Sequence, residues 1–372
     1  MSMGVWEDIL QQTKMAVLEF APSITITSTD FEASLIVVYT KDIDFFTDNP
    51  NVVKQIAQKI RRRISIRPDP SILMNEEEAK ETIKKIVPEE AGITDIYFEP
   101  ETCEVIIAAE APGLVIGKEG QLLNEIKKQI KWAPRVVRTP PLPSRIVSEI
   151  REYLKENQNE RREFLREVGR KLNRPILNGE NWIRIIALGG YREVGRSATL
   201  IMTRNSRVLV DCGVVAGNVQ GNEPWSGIPY LYVPEIWSQD SFQNENNPFK
   251  YLDAVVLTHA HLDHSGLLPM LYKYNFKGPV YATPPTRDLA VLLQMDYLKL
   301  AHSEGGKVPY DSKDIKEMLK RTITIEYGET TDIAQDVRLT FHNAGHILGS
   351  SIAHFHIGEG LHNIIVSGDI KF

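Results

Sequence analysis

Within LTHAHLDHSG, residues 257 to 266, the side chains of His259, His261, Asp263 and His264 fall inside six positions. Imidazole nitrogen and carboxylate oxygen are the donors that zinc takes in sets of about four or five, so this density is a metal-ligand pattern. His259 and His261 lie two apart, and in an extended or tightly turning loop both rings point to one side. Asp263 and His264 are offset and suit a second point. The spacing predicts two metal ions, read as Zn2+, with Asp263 and His264 assigned to catalysis as well as to metal. A chance gathering of core or surface histidines does not account for H-x-H-x-D-H.

Further ligands are expected from later loops that converge on this one. His346 in NAGHILGS is flanked by Gly345 and Gly349 at the end of a strand, and Asp369 in VSGDIKF again follows an apolar strand. Asp211 in VLVDCGV is read as a buried carboxylate that orients the histidine loop from behind. His354 and His356 alternate on one strand without partner acids and are not assigned as ligands; nor are His302, His342 and His362.

The elements that must position these residues are short and β-rich. From Trp182 onward WIRIIALGG, SATLIMT, RVLVDCG, LDAVVLTH, PVYAT, VRLTFHNAGH, SSIAHFHI and NIIVSGD read as strands. Helical stretches interrupt them at about 266 to 274, 285 to 302 and 311 to 320, which predicts a layered α/β or α+β domain. Each candidate ligand sits where a strand ends, and loops at strand ends are where rigid scaffolds present chemistry. Trp225, Tyr230, Tyr232, Trp237 and Phe242 crowd the segment between Gly213 and Phe249; packing against the body is the simpler reading, stacking on RNA bases the competing one.

Upstream, one order of elements occurs twice: helix, strand, strand, helix, strand. The first copy runs through residues 5 to 19, ITITS, ASLIVVYT, NVVKQIAQKI and ISIR, and the second through residues 75 to 87, TDIYFEP, CEVIIAAE, QLLNEIKKQI and PRVVRT. In the second copy APGLVIGKEGQLL places Gly117, Lys118, Glu119 and Gly120 at the opening of a helix. Glycines there admit a close phosphate, and helix amides with Lys118 supply positive potential. The corresponding loop of the first copy, FFTDNPN, has no glycine and carries Asp48, with Asp44 just before it, so it is not expected to hold phosphate. Lys54, Lys59, Arg61, Arg62, Arg63 and Arg67 form one basic run; Lys118, Lys127, Lys128, Lys131, Arg135 and Arg138 form another. Each is either a nucleic-acid patch or a solvated helix face. TPPLPS breaks the chain at 139 to 144. Ser144 is expected to cap a charged connector helix that runs on to Leu172, broken near Asn157 to Asn159.

Composition narrows the classes. The chain has 372 residues, 42% of them hydrophobic and 25% charged, which fits a soluble protein of several domains. No apolar run reaches the roughly 20 residues of a membrane span. The N-terminus carries Glu7 and Asp8 where a secretory signal would be basic, and Cys103 and Cys212 stand far apart, so a reducing cytoplasm is expected. A net charge of -6 means that any nucleic-acid contact must be local.

The GKEG copy resembles a KH domain, which clamps single-stranded nucleic acid through its GXXG loop. Residues 182 to 372 resemble a metallo-β-lactamase domain of the β-CASP branch, because LGGYREVGRS, VDCG, THAHLDHSG, AGHILGSS and SGDIKF succeed one another in that order. The whole chain resembles the archaeal KH-containing β-CASP ribonucleases related to the cleavage and polyadenylation specificity factor endonuclease. That resemblance implies a mixed α+β and α/β protein: a KH-like domain without GXXG at 1–70, a KH domain at 71–140, a connector helix at 141–178, and the N-terminal part of a metallo-β-lactamase αββα sandwich at 179–372, ending before the β-CASP domain. It places His259, His261 and His346 on one zinc, Asp263 and His264 on the other, and Asp369 between them. A further histidine ligand and a leaving-group histidine would lie beyond Phe372. The implied activity is endonucleolytic cutting of single-stranded RNA, with 5′ to 3′ trimming, in 3′-end formation, transcription termination or processing. Implied partners are single-stranded RNA and, in the full-length protein, a second copy of the chain or the RNA-processing or transcription machinery, with no membrane. The competing reading is a non-catalytic RNA-binding or assembly module lacking the second half of the nuclease. A small-molecule hydrolase of the same superfamily would leave the repeat unexplained.

Overall fold

A computed structural model describes residues 5–100, 102–139, 144–177, 179, 182–215, 227–303, 305–306, 308–358 and 360–371. Trp225 and most of the proline-rich break lie outside them. The chain divides into two compact units, Met1–Asn173 and Arg174–Phe372.

The first unit contains the repeat. Helix α1 (Val5–Phe20), strands β1 (Ile26–Glu32) and β2 (Leu35–Thr40), helices α2 (Ile43–Asp48) and α3 (Pro50–Ile60) and strand β3 (Arg63–Pro68) are succeeded by the same series: α4 (Glu76–Ile86), β4 (Ile93–Glu99), β5 (Glu104–Ala109), α5 (Pro112–Ile116), α6 (Gln121–Ile130) and β6 (Ala133–Arg138). Both sheets place the second strand centrally, antiparallel to the first and parallel to the third. Even the irregularity near the start of the first strand recurs, at Ile26/Ser28 and at Ile93/Asp95. The periodicity does not show one element, a short helix before the long one in each copy. In the first copy this turns much of the expected FFTDNPN loop into helix: Phe45 to Asp48 belong to α2, and only Asn49 separates them from Pro50 at the start of α3. Proline suits that position because the first helical N–H has no intrahelical partner.

Several residues of the basic runs are taken up by structure. Asp44 accepts from Lys131 at 2.6 and 2.8 Å, and Asp48 pairs with Lys128, so the acidic end of the first copy clasps the last turn of α6. Lys59 pairs with Glu19 and Arg62 donates to Asn173. Arg67, 4% exposed, spans the copies: it binds Glu32 through two nitrogens at 2.5 and 3.1 Å and Glu104 of the second copy at 3.2 Å. Burial pushes the Glu104 carboxyl up, against the pull of Arg67. Val37 and Tyr39 meet Cys103 beside this network.

The connector is two helices, α7 (Arg145–Glu156) and α8 (Gln158–Leu172), divided at Asn157, with the Ser144 hydroxyl accepting from Val147 N. Helix α8 is no free-standing linker. Gly169 lies against Phe31 so closely that a Cβ would overlap it, Arg166 pairs with Asp30, and Leu165 O accepts from Ala33 N at 2.9 Å.

In the second unit, β7 (Ile183–Gly189), β8 (Ala198–Thr203), β9 (Arg207–Val210), β10 (Ala254–Val256), β11 (Val280–Ala282) and β12 (Thr322–Thr324) form a six-stranded sheet, parallel from β9 to β12. Strands β13 (Thr330–Ala334), β14 (Val337–Asn343), β15 (Ser351–Ile357) and β16 (His362–Val366) form an antiparallel sheet of four. The sheets share one apolar core, in which Val208, Val210, Val256 and Tyr281 meet Leu339, Phe341, Ala353 and Phe355. Helices α10 (Leu262–Ser265), α11 (Leu268–Lys273), α12 (Pro284–Ser303) and α13 (Ser312–Lys320) are interleaved with the parallel strands, and α9 (Gln239–Glu245) lies in the long segment before β10. Outward from the four-stranded sheet point His342, Asn363 and Ile365, all exposed. Among the described residues no helix is long and apolar enough to cross a membrane.

Replacing Arg67 by methionine leaves Glu32 and Glu104 facing each other half-buried. Arg67→Met should destabilise the chain by about 3 kcal/mol, read as a lower urea midpoint; an unchanged midpoint would show that the network does not join the copies.

Candidate metal centre

Each of the six expected ligands is placed by the end of a strand. After β10 the chain runs without regular structure through His259, and His261 caps α10, where its carbonyl accepts from His264 N and Ser265 N at 3.0 and 2.8 Å. Asp263 thereby falls in the first turn of a helix, where negative charge is favoured. The stretch from Asp211 to Val214 runs alongside: Cys212 N donates to His264 O at 2.7 Å and Val214 N to Leu262 O at 3.0 Å. A Cβ on Gly213 would overlap the Asp263 carbonyl, so only glycine lets the two segments pass. His346 sits in the turn between β14 and β15, with its own N and that of Ile347 both donating to Ser350 Oγ at 3.1 Å. Asp369 comes after β16 and Gly368, whose φ of 55° carries the chain past Thr258.

The side chains converge. One ligating atom each from His259, His261, His346 and Asp369 lie within 4.8 Å of one another. His261 Nδ1 is 3.2 Å from His259 Nε2 and 3.2 Å from His346 Nε2. Ligand atoms about 2.05 Å from one tetrahedral ion stand roughly 3.3 Å apart, so the three nitrogens fit such an ion. Asp369 turns Oδ2 toward this group, 3.5 Å from His346 Nε2 and 3.9 Å from His259 Nε2. Its Oδ1 faces the other way, 3.5 Å from His264 Nε2, and Asp263 Oδ2 lies 3.9 Å from that same nitrogen. All six expected side chains are therefore brought together.

Asp211 decides which nitrogens face the centre. It is 1% exposed and held at φ 59°, a conformation that L residues rarely adopt. Its Oδ1 accepts from Thr258 N, and its Oδ2 accepts from both Thr258 Oγ1 and His264 Nδ1, at 2.7 to 2.8 Å. Since the Thr258 proton is spent on Asp211, its oxygen can only accept from His259 Nδ1, 3.1 Å away. His259 Nε2 thus presents a lone pair to the cluster. Burial first, then the His264 charge, lowers the His259 pKa to about 4, which keeps that ring neutral. His264 goes the opposite way: burial lowers it, but the charge and hydrogen bond of Asp211, with Asp263 and Asp369, raise it to about 8.

Sequence reasoning does not single out Thr258, Ser350 or Ser351. Ser351 donates to Thr258 O through its N and its Oγ, both at 2.9 Å, which ties the His346 turn to the histidine loop. A hydroxyl directly before the first histidine of H-x-H is the one available signal. His354 Nε2 and His356 Nδ1 both contact Asn363 Oδ1 on the outer face of β15 and take no part in the cluster. Trp237 packs against Tyr232, Phe242, Phe249 and Tyr274 with centroids 4.6 to 6.2 Å apart, as packing predicts, and Tyr230 lies beneath Arg196.

In the first unit, Gly117, Glu119 and Gly120 all have positive φ, at 74°, 55° and 78°. Lys118 and Glu119 are exposed, and Gly120 precedes α6 without a side-chain cap. A Cβ at Gly120 would meet nothing within 4 Å, so the loop's outer side is open.

Three family models match the chain: the KH domain of transcription termination factor FttA over residues 7–73, a KH domain over 78–141, and the metallo-beta-lactamase superfamily domain over 233–371. The chain carries two KH domains followed by a metallo-β-lactamase domain. Over 98% of its length it is 50% identical to transcription termination factor FttA of Methanosarcina mazei and 48% identical to that of Methanothermobacter thermautotrophicus; over 96% it is 41% identical to that of Lokiarchaeum. It spans about half the length of these relatives, 54 to 55%.

Metal can take His264 only after its proton leaves. Affinity should therefore climb about tenfold per unit between pH 6.5 and 7.5, below the His264 value, with no slope from His259. Chelator competition across that range checks this, and a flat profile would contradict it.

Proposed function

We propose that this chain is the RNA-gripping and metal-holding part of a zinc-dependent ribonuclease that cuts single-stranded RNA in transcription termination, 3′-end formation or processing, endonucleolytically and with 5′ to 3′ trimming. The observation that carries this reading is Asp369: one carboxylate oxygen faces the trio His259, His261 and His346, and the other faces His264 beside Asp263. Two ions would be held on either side of that carboxylate, one by His259, His261 and His346 and one by Asp263 and His264. Zinc suits the donors, neutral imidazole and carboxylate with no thiolate among them.

When bound, the ions supply Lewis acidity toward a phosphate oxygen and make water acidic near a pKa of about 7. The chain's own residues do the rest. Asp211 holds the Nδ1 proton of His264 and, through Thr258, that of His259, so both rings present Nε2. Asp263, 28% exposed at its side chain, stands on the open side. Gly117, Lys118, Glu119 and Gly120 take the RNA backbone, with the amides at the start of α6 and the Lys118 charge meeting phosphate. The name borne by the relatives supports a place beside the transcription machinery.

A second reading is an RNA-binding and assembly module that does not cut. Metal analysis separates the two, since the nuclease reading expects two ions per chain. Asp263→Ala should abolish cutting and leave RNA affinity intact; continued cutting by that variant would refute the assignment. Gly120→Asp should weaken RNA binding on the order of tenfold at fixed salt, about 1.4 kcal/mol, without lowering metal content. Unaltered affinity would remove the GKEG loop from the interface.

A further inference from the structure

Two separate backbone segments of the metal centre end on one element, α12. At its start, the hydroxyls of Thr283 and Thr286 lie 2.7 and 2.8 Å from the carbonyl oxygen of Gly349, three residues after His346. Gly349 has φ 83°, and a Cβ there would come within 2.6 Å of Thr286 N, so the turn can seat on the helix only as glycine. Two turns further on, Gln294 Nε2 donates at 2.8 Å to the carbonyl of Ser265, the residue after His264. Just past the helix, Tyr310 donates its hydroxyl to Gly266 O at 2.7 Å. All four side chains are buried.

Gln294 is out of place by packing alone. It lies on the buried face of α12 with Ala290 and Leu298, and among the described residues its Oε1 has no hydrogen-bond partner. Leucine or methionine would fill that slot without an unpaired buried oxygen, but only the amide supplies a donor to Ser265. From Thr286 to Gln294 the helix rises about 12 Å, a length fixed by its own hydrogen bonds, whereas a loop would let it vary. Every one of these bonds ends on a backbone carbonyl, so what they set is the place of the segment from which the ring or carboxylate projects.

We infer that α12, together with Tyr310, is a strut that fixes the spacing between the His346 turn and the α10 helix bearing Asp263 and His264, and that Thr283, Thr286, Gln294 and Tyr310 are positioning residues for the metal centre. The inference rests on the two-ion reading of the site. Asp369 can serve both groups only if their separation is held to within a few tenths of an ångström.

The test uses near-isosteric variants of the full chain: Gln294→Met with Tyr310→Phe, Tyr310→Phe alone, and Thr283→Val with Thr286→Val. In zinc titrations against a chelator, the first pair and the single variant should weaken one ion about tenfold and spare the other, while the threonine pair weakens the other ion. In the metal-free chain, deuterium exchange should quicken at His264, Ser265 and Gly266 in the first pair and at Ala344 and Ser350 in the threonine pair, with no crossover. Unchanged exchange, or equal quickening throughout the domain in both pairs, overturns the strut. If the wild-type chain takes up no zinc, the exchange pattern still decides the strut, and the metal reading alone falls.

Discussion

The metal centre depends on one buried carboxylate. Asp211 accepts three hydrogen bonds, and through them a single charge fixes the Thr258 backbone, the His264 ring and, at one remove, the tautomer of His259. A carboxylate almost wholly removed from water is tolerated only when its oxygens are saturated with donors, and here they are. The two rings are driven apart: burial pulls the His259 pKa down, while the charge and hydrogen bond of Asp211 push that of His264 up.

Around that anchor, neighbouring backbone does the fitting. Glycines at 213 and 368 stand where a side chain would strike another part of the centre, and Gly349 where it would strike the start of α12. The His346 turn is bonded to the histidine loop through Ser351 and to α12 through Gly349, so the second sheet is registered against the first at the point where their residues must meet. The shared core of valines, phenylalanines and Tyr281 beneath gives both sheets a fixed base.

Much of this is legible in the residues. The repeat, the long helices, the break at Asn157 and the convergence of six dispersed side chains can be read because periodicity and strand-end placement are local signals. The features that escape such reading are non-local. Whether Lys128 and Lys131 meet RNA or Asp48 and Asp44 depends on how two copies of a domain dock, and spacing along one helix carries no trace of that. Helix α2 escapes because IDFFTD is too short for periodicity. Helix α8 reads as a mere connector because its partners Ala33, Phe31 and Asp30 are remote in sequence; Arg166 and Asp30 stand 136 positions apart. Thr258 stays hidden because its importance lies in what it accepts.

The clasp between Asp44, Asp48 and the end of α6 alters the thermodynamics of any strand the second KH domain takes. Lysines paired with protein carboxylates displace fewer of a polyanion's condensed counterions, so Lys128 and Lys131 would add little to long-range attraction. If the second KH domain takes RNA as proposed, selection would fall to close-range complementarity at the mouth of the helix, and a chain of net charge -6 would read one strand without adhering to every other.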